Sequence, residues 1–120
     1  MRKVLVAAGW AWAATIVWLS LMPEPPELSI AHGDKLGHFA AYGLLMLWFT
    51  QLYAARGSRL AYAAVFVAMG VTLEFVQGAL GYRSYDVFDM YANTIGVVLG
   101  WALGALFRPR FPRPAGQPRL

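Results

Sequence analysis

LEFVQGALGYRSYDVFDMYANTIG, residues 73–96, gathers Glu74, Gln77, Arg83, Asp86, Asp89 and Asn93 within an otherwise apolar chain. Glu74 sits inside the run Leu60–Leu80, which carries no other charge. A helix rises about 1.5 Å per residue, so this run extends roughly 31 Å, close to the roughly 30 Å hydrocarbon core of a bilayer. An acid inside such a run costs on the order of 2–3 kcal/mol or more unless something offsets it. The surroundings of Glu74 therefore bear on both the fold and the function.

Outward from that stretch the chain divides into apolar runs. Val4–Met22 is uncharged and follows a short basic start, Met1-Arg2-Lys3. A secretory leader has the same charge order, but its apolar part is about 7–15 residues and ends at a small-x-small cleavage site. Leu19-Ser20-Leu21-Met22-Pro23 is a poor one, so a retained first membrane helix over about 4–22 is expected. Pro23, Pro25 and Pro26 end it, because proline cannot continue the hydrogen-bond ladder. A polar loop over 23–37 carries Glu24, Glu27 and Asp34. The second run, His38–Ala55, is slightly short for a span, and its helix is expected to begin at Asp34 or Lys35, covering about 35–55. Arg56-Gly57-Ser58-Arg59 reads as a tight basic turn before the third span, 60–80. Gly81–Asp89 reads as a second polar loop, and Met90–Phe107 as the fourth span, within a helix of about 87–107. The expected fold class is all-α: a polytopic membrane domain over 1–107, four transmembrane helices in an antiparallel up-down bundle. Residues 108–120, RPRFPRPAGQPRL, read as a disordered, basic, cytoplasmic tail.

With 120 residues there is room for one domain. A composition 59% hydrophobic and 13% charged, with the charge unevenly spread, points to a membrane protein. The absence of cysteine excludes disulfides, thiolate metal sites and a cysteine nucleophile. The net charge of +4 resides at chain ends and short turns and not on one soluble face, which argues against nucleic acid as a partner. Placing both termini and the 56–59 turn in the cytoplasm puts Arg2, Lys3, Arg56, Arg59, Arg108, Arg110, Arg113 and Arg119 inside, and only Lys35 and Arg83 outside.

That orientation brings the polar residues to one depth. Glu74 lies roughly 9 Å below the outer end of its helix, His38 just inside the outer end of the second, and Asn93 about one turn down the fourth. Asp34, His38 and Tyr42 share a face at i, i+4, i+8; Glu74, Gln77 and Gly78 at i, i+3, i+4. Asp86, Asp89, Asn93, Gly96 and Gly100 continue one stripe, and Gly96, Gly100 and Gly104 admit close approach by a neighbouring backbone. That neighbour is either a helix of the same chain or a second copy in a homo-oligomer. Each polar residue also has a bland account. Asp34, Asp86 and Asp89 suit helix starts, His38 an interface, and Glu74 an ion pair with Arg83 or Lys35. Trp18, Tyr82, Tyr85 and Tyr91 suit an outer aromatic belt, Tyr53 and Tyr62 an inner one.

Three functions fit an outward-facing polar layer. The first is recognition of an anionic envelope ligand, a lipid headgroup or lipid-linked cell-wall precursor, by Asp34, Lys35, His38, Tyr42, Glu74, Gln77, Arg83, Asp86, Asp89 and Asn93. The second is a membrane enzyme acting on a lipid headgroup, with His38 or Glu74 as the candidate catalytic base. The third is a small proton-coupled transporter. Oxygen ligands from Asp34, Glu74, Asp86 and Asp89 would suit Mg²⁺ or Ca²⁺, but no spacing is diagnostic, so neither metal nor cofactor is expected.

Asp34-Lys35-x-x-His38-Phe39-x-x-Tyr42, then Glu74-x-x-Gln77, then Arg83-Ser84-x-Asp86-x-x-Asp89-x-x-x-Asn93-x-x-Gly96, resembles the VanZ-like family. The resemblance extends over about Trp18–Gly104, and Leu19–Pro23 is similar to that family's first-helix exit. It implies a small multi-pass protein of the bacterial inner membrane, in contact with membrane lipids. The founding member is associated with resistance to the glycopeptide antibiotic teicoplanin, which acts on cell-wall precursors outside the membrane. This favours the first of the three functions.

Overall fold

The computed structural model describes residues 1–22, 33–81 and 87–107, and its regular structure is helical, with no strand among the described residues. Among them are four helices: α1 (Arg2–Leu21), α2 (Gly33–Leu52), α3 (Arg56–Leu80) and α4 (Val87–Leu106). Helices α1, α3 and α4 are long and apolar enough to cross a membrane. Helix α2, although 20 residues long, is not among them. It carries Asp34, Lys35, His38 and Gln51, and its position explains why it can. The other three helices all pack on it, and Tyr42, Leu45, Met46, Phe49 and Leu52 are among its fully buried side chains. A helix sheltered by protein needs less lipid-compatible surface than one facing acyl chains.

The seam between α2 and α4 is the tightest in the molecule. A Cβ at Gly96 would run into the carbonyl of Phe39 and the amide of Gly43; one at Gly100 would run into the Gly43 carbonyl; one at Gly104 would run into the Thr50 side chain. The glycine stripe is therefore buried against α2 of the same chain, where Gly43 faces it. Without Cβ atoms the two backbones approach closely, and dispersion replaces the hydrophobic drive that lipid cannot supply. These contacts run in the same order along both helices. Helices α1 and α2 meet in opposite order: Arg2 bonds the Leu52 carbonyl, Trp48 that of Leu5, and Trp12 that of Ala41.

The core lies between α1, α2 and α3. Phe49 is ringed by Trp10, Phe66 and Tyr62, with centroids 5.2, 5.1 and 4.7 Å away. These offset and edge-on geometries suit the aromatic quadrupole. Tyr53 and Tyr62, expected at a lipid-facing belt, instead pack on one another with centroids 4.8 Å apart, and the Arg2 guanidinium stands 4.7 Å above the Tyr53 ring.

Helix α3 starts at Arg56, not at Leu60, so the residues read as a tight basic turn are its first turn. The link from α2 is only Tyr53, Ala54 and Ala55. The Arg59 amide bonds the Ala55 carbonyl at 3.1 Å. Its guanidinium folds back to donate to the carbonyls of Tyr53 and Thr50, both at 2.7 Å. A cation on the last carbonyls of α2 satisfies orphan acceptors and opposes the helix dipole, which is why helix can begin here at once. At the far end Gly81, with φ 83°, closes α3 in the left-handed conformation that glycine adopts without a steric penalty.

Candidate functional site

The polarity of the bundle is inverted relative to a water-soluble protein. Trp18, Leu60, Val65, Phe75, Ile95 and Val98 are exposed on its flanks, whereas Arg59, Glu74, Gln77, Asp89 and Asn93 are buried. Arg59 lies at the end where α2 finishes. The other four belong to the opposite end, with Lys35, His38 and Tyr42.

Three helices deliver those residues. On α2, Lys35, His38 and Tyr42 lie on one face. On α3, Gly70, Glu74 and Gln77 follow at i, i+4, i+7. On α4, Asp89 and Asn93 head the stripe that becomes the glycine seam. The seam fixes the height of α4 against α2, and so sets Asn93 beside His38. His38 Nδ1 and Asn93 Oδ1 are 3.0 Å apart. An amide oxygen only accepts, so His38 Nδ1–H is the donor of this bond. Asn93 is seated on α3 by Gly70, where a Cβ would stand 3.0 Å from both Asn93 Cβ and Nδ2. One side chain thus touches α2 and α3 from α4.

Around this bridge, Lys35 Nζ lies 3.5 Å from Asp89 Oδ1, an ion pair joining α2 and α4. Glu74 is 1% exposed, as is Tyr42. The Tyr42 hydroxyl finds no hydrogen-bond partner among the described residues. Gln77 turns toward α1, donating to the Ser20 carbonyl at 2.7 Å. Arg83 and Asp86 lie outside the described residues, as does the side chain of Asp34. The ion pairs weighed for Glu74 with Arg83, and a metal held with Asp34 and Asp86, fall there too. Among the described residues no three His, Cys, Asp or Glu side chains come together as a metal site.

Two residues escaped the sequence reading. Gly70 looks like any glycine in an apolar run, but its missing Cβ makes the seat for Asn93. Arg59 was counted only for orientation, although a cation following a helix end is a known signal for capping its carbonyls.

Chemically, this end combines a histidine held by an amide oxygen, two buried carboxylates, a lysine and amide groups. Such a set can donate hydrogen bonds to an anion and accept a proton. A family model described as VanZ/LLP1 matches residues 3–108, which takes in all four helices. The chain belongs to the VanZ/LLP1 family. An uncharacterised protein of Schizosaccharomyces pombe, C11E3.10, is 36% identical over 88 residues. That match covers 71% of this VanZ-like chain and 54% of the relative, so the chain spans about half of the relative's length. No solved structure matches this VanZ-like protein.

Proposed function

We propose that this VanZ-like protein crosses a cell membrane four times, its helices alternating in direction and the Arg2 end in the cytoplasm, and binds the anionic headgroup of a membrane lipid at the His38 end. The observation that carries this reading is the bridge of His38 to Asn93 beside buried Glu74 and Asp89, on a protein whose flanks are apolar. Buried ionisable groups in a membrane domain are costly and therefore tend to serve ligands. Lys35, held by Asp89, supplies donors, and Asn93 orients His38. A link to teicoplanin then follows for bacterial members only where the bound lipid bears on wall assembly.

A second reading is favoured by one feature. A histidine whose Nδ1–H is held by a neighbouring acceptor has the arrangement of a general base. In that case the headgroup is also the substrate.

The test is NMR of histidine-labelled protein in nanodiscs, titrated with glycerol 1-phosphate as a soluble headgroup. The His38 resonances are expected to shift with saturation, and Asn93→Ala to weaken the affinity about fivefold, the worth of one hydrogen bond of about 1 kcal/mol. Unchanged His38 resonances at saturating ligand would refute headgroup binding at this end. Turnover of a labelled lipid, abolished in His38→Gln, would favour the enzyme over the binder.

A further inference from the structure

The charge balance at the His38 end does not suit a ligand that is an anion and nothing more. Among the described side chains two carboxylates, Glu74 and Asp89, stand there against one ammonium, that of Lys35. In and beside the connections that join the helices at this end, the sequence adds Glu24, Glu27, Asp34 and Asp86 against Arg83 alone. An end of this sign repels a phosphate at a distance and holds it only where a cation is given up to it.

Lys35 is the cation to give, and giving it has a consequence for Asp89. Lys35 Nζ lies 3.5 Å from Asp89 Oδ1, and the two side chains keep 29% and 10% of their exposure. The lysine has room to turn outward, whereas the aspartate is fixed in the first turn of α4. Taking one partner from a nearly buried pair leaves the other charge uncompensated, which is the costly part of separating it. Asp89 Oδ1 is also a buried atom that accepts no hydrogen bond among the described residues. Lys35 stands beyond the about 2.7–2.9 Å of a charge-assisted bond. On α2 the Tyr42 hydroxyl has the complementary need. Its residue is 1% exposed and it bonds to no described residue. Helical side chains lean toward the N-terminus of their helix, which aims this hydroxyl toward the turn of His38. One end of the bundle thus buries an acceptor without a donor and a donor without an acceptor, and folded proteins leave few such groups without a reason.

One ligand chemistry meets all three conditions. Its phosphate draws Lys35 and accepts from Tyr42, while a primary ammonium on the same headgroup replaces Lys35 at Asp89 and donates to Oδ1. A hydroxyl would donate there without replacing the charge, and a quaternary ammonium would replace the charge without donating. We infer, on the strength of the headgroup binding proposed above, that the headgroup is the phosphate diester of an amino alcohol, with its ammonium seated on Asp89. Phosphoserine is the member of this class that stays anionic.

The test uses the full histidine-labelled chain in maltoside micelles, which hold no phosphate, read by NMR. Glycerophosphoserine and glycerophosphoglycerol are diesters of equal net charge, the first with an ammonium and the second with hydroxyls. Glycerophosphoserine is expected to bind about tenfold tighter, the worth of a hydrogen bond between charged groups. N-acetylation of its amine should remove that advantage on the unaltered protein, and Asp89→Asn should bring the two affinities together. Phosphatidylserine added to the micelles should displace glycerophosphoserine from His38. If His38 shifts with neither ester, headgroup binding at this end fails and the amine assignment fails with it. If both esters bind equally, if N-acetylation changes nothing, or if the preference survives in Asp89→Asn, headgroup binding stands and the ammonium on Asp89 is overturned. If phosphatidylserine does not displace the soluble ester, the site takes a soluble phosphate ester and the lipid is overturned as its source.

Discussion

The two ends of the bundle both bury charge, and they do so in different ways. At the Arg2 end the cations address backbone: Arg59 donates to the carbonyls of Tyr53 and Thr50, and Arg2 donates to that of Leu52. Those carbonyls are the unsatisfied acceptors of a helix terminus and need donors in every copy of the fold. At the His38 end Gln77 does the same for Ser20 at the close of α1, but the other pairs join polar side chains to one another across α2 and α4: His38 with Asn93, and Lys35 with Asp89. No helix terminus requires Glu74 where it is. The contrast separates charge that completes the scaffold from charge that the scaffold has to tolerate, and the second kind marks the site.

The sharpest way to break the contrast is Arg59→Leu. Two carbonyls would lose their donor in a buried setting, at about 1–3 kcal/mol each, so a loss of roughly 3 kcal/mol is expected. Unfolding in mixed micelles would measure it, and glycerol phosphate affinity of the folded fraction should not change. Arg59→Lys is expected to recover only part of the loss, because one ammonium cannot reproduce the planar fork. If Arg59→Leu instead left stability intact and abolished binding, the two ends would have to exchange roles.

Gly70→Ala comes next. The new methyl would press on Asn93 Cβ and Nδ2, both 3.0 Å from its position, and overpacking of this kind costs about 1–3 kcal/mol. Asn93 is expected to give way and release His38, so the Nδ1–H signal should lose its hydrogen-bonded shift. A variant that keeps that signal would show that Gly70 is only a packing glycine. Gln77→Leu removes one buried bond, to the Ser20 carbonyl, one of the terminal acceptors that α1 cannot satisfy from its own amides. The expected cost is about 1–3 kcal/mol by the same unfolding measurement, with headgroup affinity unchanged. A loss of affinity would place Gln77 in the site and not in the α1 contact.

Much of this was legible before any coordinates. The apolar runs and their punctuation by Pro23 and Gly81 show as helices and breaks, because proline and glycine act locally on the backbone. The spacings of Asp34, His38 and Tyr42, of Glu74, Gln77 and Gly78, and of Asp89 and Asn93 show which residues share faces. What spacing does not carry is which face meets which. The stripe Gly96, Gly100 and Gly104 was equally compatible with a second copy of the chain; it is Gly43 and Thr50 on α2 that complement it. That Asn93 pairs with His38, while Gln77 turns away to Ser20, depends on helix rotation, which one sequence does not encode visibly. Arg59 was misread because a turn and a helix start share the same composition. Its side chain, folded back onto α2, decides between them.

The smallest effect is the most discriminating. Lys35 and Asp89 are 3.5 Å apart, and their side chains keep 29% and 10% of their exposure. An ion pair so placed near a helix end is expected to contribute under about 1 kcal/mol, less at high salt. Lys35→Gln should therefore hardly move the unfolding transition, yet weaken glycerol phosphate binding several-fold, because the lysine would be turned toward ligand whenever ligand is present. The two readouts must separate for the contrast between the ends to stand. A cost above about 2 kcal/mol, with affinity unchanged, would mean that Lys35 neutralises Asp89 as Arg59 serves α2. The polar layer would then be scaffold at both ends.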